Sequence, residues 1–139
     1  MPADLSAHIF EEHTGELRIR LVAPTLAGLF IEAGRALAEL TFGSNDFPPA
    51  GDTEFVSLKS TDRDALLVDW INELIFHTET TGKVSVEFEF QRLTDTALEA
   101  LIRGIEPREL RTVVKAATFH GLHIKEDAHG FSCTIVLDI

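Results

Sequence analysis

Between positions 16 and 23 apolar and polar residues alternate, with Leu17, Ile19 and Leu21 on one side and Glu16, Arg18 and Arg20 on the other. A period of two marks a strand with one buried face. Pro24 and Thr25 end it, and Thr25 is placed to cap a helix. Leu26, Leu29, Phe30, Ala33, Leu37 and Leu40 then recur at helical spacing, while Glu32, Arg35 and Glu39 fall off that stripe. An amphipathic helix is therefore predicted, ending near Phe42 and Gly43. Prolines and glycines crowd positions 43–52, which reads as a loop. Positions 53–60 read as a strand. Thr61, followed three residues later by Asp64, resembles a capping box. The helix it would open carries Leu66, Leu67, Trp70, Ile71, Leu74 and Ile75 on one face, and Asp69, Asn72 and Glu73 on the other.

The rest of the chain reads mostly as strand. Val84, Val86, Phe88 and Phe90 alternate with Ser85, Glu87 and Glu89, and 97–105 follows. Positions 107–111 form a turn or short helix. Segments 115–125 and 131–139 are predicted to pair as the last two strands, joined by a polar turn at 126–130. The first ten or so residues are a weak strand or an arm. The order is strand, helix, strand, helix, then a run of strands. It predicts an α+β fold in a single domain over 1–139: a largely antiparallel sheet with two amphipathic helices packed on one face.

Charge narrows the function. Twelve Lys and Arg stand against 23 Asp and Glu, a formal net charge of -11. Nucleic acids are gripped by clustered cations, so a chain this acidic repels RNA and DNA at long range. The nearest basic group, Arg103, Arg108, Arg111 and Lys115, is interrupted by Glu106 and Glu109 and reads as a solvated mixed-charge loop. No direct nucleic-acid binding is expected. Positive partners, a basic protein surface or a divalent cation, are attracted instead. The one cysteine, Cys133, sits in an apolar run and reads as a core residue. No secretory signal and no bilayer-spanning stretch is visible, so a cytoplasmic location without membrane contact is expected.

The sequence contains no glycine-rich phosphate loop, nucleophile elbow or Cys/His zinc pattern. On a strand, His120 and His123 would face opposite sides and share no metal. Two acids are better placed. Glu16 opens a strand on its polar face, and Asp138 lies opposite the face of Phe131, Cys133, Ile135 and Leu137. The α-carboxylate of Ile139 follows. If the strands at the two ends of the chain are neighbours, three carboxylates converge. At an effective dielectric near 20, two like charges about 4 Å apart cost roughly 4 kcal/mol. Such a cluster calls for a cation, a proton or good solvation. Oxygen donors select Ca²⁺ or Mg²⁺, or Mn²⁺. The other reading is two solvated carboxylates at strand ends.

At these residues a family resemblance enters. Glu12-His13-Thr14-Gly15-Glu16 looks like the His-Thr-Ala-Asp signature that opens the archease family. Leu66-Leu67-Val68-Asp69-Trp70-Ile71-Asn72-Glu73-Leu74 resembles that family's central helix. Lys115-Ala116-Ala117-Thr118-Phe119-His120-Gly121-Leu122 resembles its Lys-x-x-Thr-Tyr-His stretch, and Val136-Leu137-Asp138-Ile139 its C-terminus. The four blocks occur in the family's order and cover the chain end to end.

The resemblance implies an accessory protein of the tRNA-splicing RNA ligase, without a reaction of its own. Such a protein promotes guanylylation of the ligase from GTP and allows multiple turnover. The resemblance also implies a metal site at Glu16, Asp138 and the terminal carboxylate of Ile139, with Ca²⁺ expected and Mg²⁺ or Mn²⁺ as alternatives. Lys115 would be the functional lysine. His13 and His120 belong to the matching motifs. Asp69 and Glu73, one turn apart on a helix face expected to be exposed, have two readings: an ordinary solvated helix face, or a surface that meets a basic ligase. Two positions depart from the family pattern: Glu16 replaces an Asp, and Phe119 replaces a Tyr and reads as a core ring. Two other readings stand beside this one. One is a generic divalent-ion-binding or interaction module without a ligase. The other is a small hydrolase or phosphotransferase using His120.

Overall fold

The computed structural model describes residues 5–139. Strand β1 (Ala7–His13) turns back into β2 (Glu16–Ala23), which buries Leu17, Ile19, Leu21 and Ala23 as their alternation requires. The Thr25 hydroxyl accepts the Gly28 amide at 2.9 Å and caps α1 (Leu26–Phe42). Caps of this kind stabilise a helix by about 1 kcal/mol. Gly43, with φ of 100°, closes the helix in the left-handed conformation that glycine tolerates best. Strand β3 (Thr53–Lys59) leads into α2 (Arg63–Thr81), which is followed by β4 (Val84–Leu93) and β5 (Ala97–Ile105). The cap of α2 is Asp62, whose carboxylate accepts the Ala65 amide at 2.8 Å, so the helix starts one residue later than the Thr61 capping box would place it.

The α+β class and antiparallel pairing follow the sequence pattern, but the strands divide between two sheets. One sheet has the order β3-β5-β4. The other runs β1-β2-β8-β6, where β6 is Ala116–Thr118 and β8 is Gly130–Asp138; the short β7 (Lys125–Asp127) also pairs with β8. Helix α1 packs against β2 of the larger sheet and β4 of the smaller, and α2 against β6, β4 and β3. Each helix therefore buries residues toward both sheets. Trp70 of α2 is fully enclosed, packed on Phe88 and Phe90 of β4, and its indole N–H donates to the Phe30 carbonyl at 2.9 Å. That bond ties the two helices together where no water could satisfy the donor.

The segment 115–125 is not one strand. It leaves the edge of β8 after Thr118 and returns at Lys125. Gly121 has φ of 66°, and the Leu122 amide donates to the Phe119 carbonyl at 3.1 Å. The turn carries Ile124 back into the core, where its amide donates to the Asp64 carboxylate at 2.9 Å. His120 and His123 thus lie on a loop rather than on the two faces of a strand. Segment 107–111 has no helix.

Candidate functional site

The two ends of the chain meet in the larger sheet. In the β2–β8 register Glu16 stands opposite Asp138, and on the other side of β8 Asp138 stands opposite Ala116. Both acids lie on the face opposite Leu17, Ile19, Ile135 and Leu137, whose side chains fill the core; Val136, on the acids' own face, is buried as well. Glu16 is half-buried and Asp138 is exposed. Among the described residues neither carboxylate has a hydrogen-bond or ion-pair partner. Like charges directly opposite each other destabilise a sheet. Arg18, two residues along the same face, adds a positive charge; its Nε is buried with no hydrogen-bond partner. The backbone of His13 pairs with Glu16 across the β1–β2 turn.

Lys115 joins this group through its backbone: its amide donates to the Asp138 carbonyl at 2.8 Å, and its side chain is exposed. His120 is exposed on the following loop. Phe119 is 56% exposed, so its ring is not the core residue that its sequence neighbourhood predicted. The chain leaves the sheet edge at this point and turns the ring outward.

The donor set fits a hard ion in kind. Two side-chain carboxylates stand in register with no partner among the described residues, and an oxygen-only set suits Ca²⁺ or Mg²⁺. It is sparse, however. Among the described residues no group of three or more His, Cys, Asp or Glu side chains is arranged to hold an ion. Ile139, half-buried, directly follows β8 and Asp138.

The polar face of α2 is less free than its sequence implies. Asp69 is half-buried and accepts a hydrogen bond from the Ser60 hydroxyl. Asp64 holds the Ile124 amide, and the His123 ring lies 3.3 Å from it. Asn72 contacts the backbone of Ala117 through both atoms of its amide, accepting the N–H at 2.8 Å and donating to the C=O at 3.3 Å. Glu73 is half-buried. The expected pair of exposed acids is thus one acid engaged by Ser60, which precedes the helix, and one partly covered.

The Archease protein family (MTH1598/TM1083) matches residues 9–139. The chain belongs to the archease family. It is similar to the protein archease of Methanosarcina mazei, 26% identical over the whole of both chains. It is also similar to that of Pyrobaculum neutrophilum, 30% identical over 99% of this chain and 97% of the relative, and to that of Saccharolobus islandicus, 31% identical over 94% and 96%. Its fold superposes on the solution structure of Methanobacterium thermoautotrophicum protein 1598 with a TM-score of 0.77 and 26% identity, over 95% of this chain and 98% of that one. A Thermotoga maritima crystal structure described as an archease, possible chaperone, shares the fold at a TM-score of 0.70 and 20% identity, over 93% and 94%.

The four archease-like sequence blocks, distant in the chain, are contiguous in the fold. The opening block reaches Glu16, the closing block lies beside it through Asp138, the lysine block runs along the other side of β8, and the central helix touches that block through Asn72. No helix among the described residues is long and apolar enough to cross a membrane. Arg103 lies on β5 of the smaller sheet, bonded to Thr53 at 2.9 Å, apart from the connection that carries Arg108, Arg111 and Lys115. Cys133 is buried, and burial pushes its thiol up to about 12, consistent with an inert core residue.

One polar cluster carries almost no sequence signal. His8 of β1 places Nδ1 2.6 Å from Glu32 and Nε2 3.0 Å from Glu39, two turns apart on α1. Arg35 lies 3.6 Å from the other Glu32 oxygen. Burial pulls the imidazole pKa down, and the two carboxylates more than offset it, so the net shift is upward from 6.5. Glu32 is itself buried, although it falls off the main apolar stripe of the helix. Only the i, i+7 spacing of two acids hinted at a shared partner.

Proposed function

We propose that this archease-family chain is a non-enzymatic, ion-binding activator of the tRNA-splicing RNA ligase. It promotes guanylylation of the ligase from GTP and sustains multiple turnover. The observation that carries this reading is the meeting of Glu16, Asp138 and Lys115 at one end of the larger sheet. Glu16, Asp138 and the α-carboxylate of Ile139 hold one hard cation, Ca²⁺ or else Mg²⁺ or Mn²⁺, which supplies the positive charge that relieves their repulsion. Glu16 reaches one methylene further than the family's usual Asp. Lys115 presents an exposed point charge on a backbone bonded to Asp138.

Activation runs through contact with the ligase rather than through capture of RNA. The net charge of -11 opposes phosphate backbones and favours a basic protein surface. The deciding experiment is a ligation assay with ligase limiting, with and without this protein. Many turnovers with it and about one without it support the activator reading. Equal turnover reduces the chain to an ion-binding interaction module. Hydrolysis of nucleoside triphosphates by the protein alone would instead make it an enzyme.

A further inference from the structure

Strand β6 is three residues long and lies at the edge of its sheet. One side of it pairs with β8, with Ala116 opposite Asp138, Ala117 opposite Leu137 and Thr118 opposite Val136. Three pairs are a weak hold for a segment that leaves the sheet on both sides. A second hold comes from α2. The Asn72 amide offers one acceptor and one donor, and both go to Ala117, the acceptor to its N–H at 2.8 Å and the donor to its C=O at 3.3 Å. The side chain thereby does for Ala117 what a neighbouring strand would do, and it fills a backbone edge that would otherwise be open. Asn72 can reach because its helix is anchored through Ile71, Leu74 and Ile75 on the buried face.

We propose that Asn72 is a positioning residue for Lys115 and Asp138, acting through the backbone of Ala117. A short path of bonds links them: Asn72 to Ala117, then Ala116 in register with Asp138, with the Lys115 amide on the Asp138 carbonyl at 2.8 Å. Asp138 in turn stands opposite Glu16. Loosening Ala117 lets the Lys115 and Asp138 backbones drift from the geometry that brings lysine and carboxylates together. The inference about ion affinity rests on the proposed function; the inference about the backbone does not.

Asp64 supplies the control. It also sits on α2 and also bonds the segment after β6, but at Ile124. Amide hydrogen exchange followed by NMR and Ca²⁺ affinity measured by calorimetry are compared for the parent, Asn72→Ala, Asn72→Asp and Asp64→Ala. Asn72→Asp keeps an acceptor for the Ala117 N–H and loses the donor, so it decides the question if Asn72→Ala does not fold. Asn72→Ala is expected to speed exchange at Lys115 as well as Ala117 and to weaken Ca²⁺ by about 10–100-fold, as losing a group that orients metal ligands does. Asn72→Asp should fall between it and the parent, and Asp64→Ala should leave Lys115 exchange and Ca²⁺ affinity unchanged. Faster exchange confined to Ala117, or an equal effect from Asp64→Ala, overturns the proposal. A parent protein that binds no Ca²⁺ overturns the ion reading instead, and exchange at Lys115 then decides the role of Asn72 alone.

Discussion

Glu16 and Asp138 are separated by almost the whole chain and stand directly opposite each other on the outward face of adjacent strands. Among the described residues neither carboxylate has a partner. The proposed cation, shared between them, would relieve the repulsion of two acids at this register. Asp138→Ala is therefore expected to weaken Ca²⁺ by about 10–100-fold or more in calorimetry, since losing a ligand costs at least as much as losing its support. The exposed side chain makes no hydrogen bond among the described residues, and removing it ends the like-charge pairing with Glu16, so the melting temperature without added ion should hold or rise. Extending the chain past Ile139 should also weaken binding relative to an N-terminal tag. Equal affinities for the two tagged forms would remove Ile139 from the site.

Lys115→Ala separates side chain from backbone. The bond to Asp138 uses the Lys115 amide, which the substitution spares. Ligase activation should be lost while ion affinity and stability stay near those of the parent. A ligation assay, calorimetry and a thermal melt on one preparation check this, and an unfolded variant would mark Lys115 as structural.

His8 makes stability depend on pH. Its folded pKa is raised above 6.5, so its contribution is fully present below pH 6.5 and is lost as pH rises through the folded value. The groups facing it are Glu32 and Glu39, with Arg35 against Glu32. The parent should therefore lose more stability than His8→Ala as the pH is taken upward across and past that range. Thermal melts over a pH series read this directly; parallel curves for the two proteins would show that the bridge contributes nothing.

Gly130 opens β8 at φ of 133°, and a Cβ there would fall 2.4 Å from the Ala23 carbonyl oxygen and 2.9 Å from the Pro24 Cα. Both are backbone atoms and cannot swing away. Gly130→Ala should cost about 2 kcal/mol or more in urea unfolding, the range of a strained backbone position. Gly82→Ala, also at positive φ but with nothing within 4 Å of the new Cβ, should cost less. A smaller loss at 130 than at 82 would place the β2–β8 end more loosely than described.

Contact with a basic ligase surface should be steered by charge. Association should slow as salt rises, because the Debye length is about 8 Å at physiological ionic strength. Glu73→Lys should slow it further. Asp69 is a poor probe, since reversing it breaks the bond from Ser60. Stopped-flow rates indifferent to both salt and Glu73→Lys would return this helix face to ordinary solvated surface.

The sequence by itself determined the elements whose burial has a single period. Leu17, Ile19 and Leu21 alternate because one face of β2 is dry, and the stripe from Leu26 to Leu40 follows the helix it forms. It also marked Glu16 and Asp138 by parity, since parity alone settles which face of a strand a side chain takes. Only the tertiary structure decided what those faces meet. Two antiparallel sheets and one differ in long-range pairing, which no local period records. The chain breaks at Gly121, turns Phe119 outward and returns at Ile124, whose amide bonds Asp64, 60 positions earlier. His8 met Glu32 and Glu39 only once β1 lay along α1. Asp69, Asn72 and Glu73 look alike on a helical wheel, as polar residues off the buried face. The fold gave Asp69 to the Ser60 hydroxyl and Asn72 to the Ala117 backbone, because a part-buried polar side chain beside an unfilled polar group bonds it rather than water.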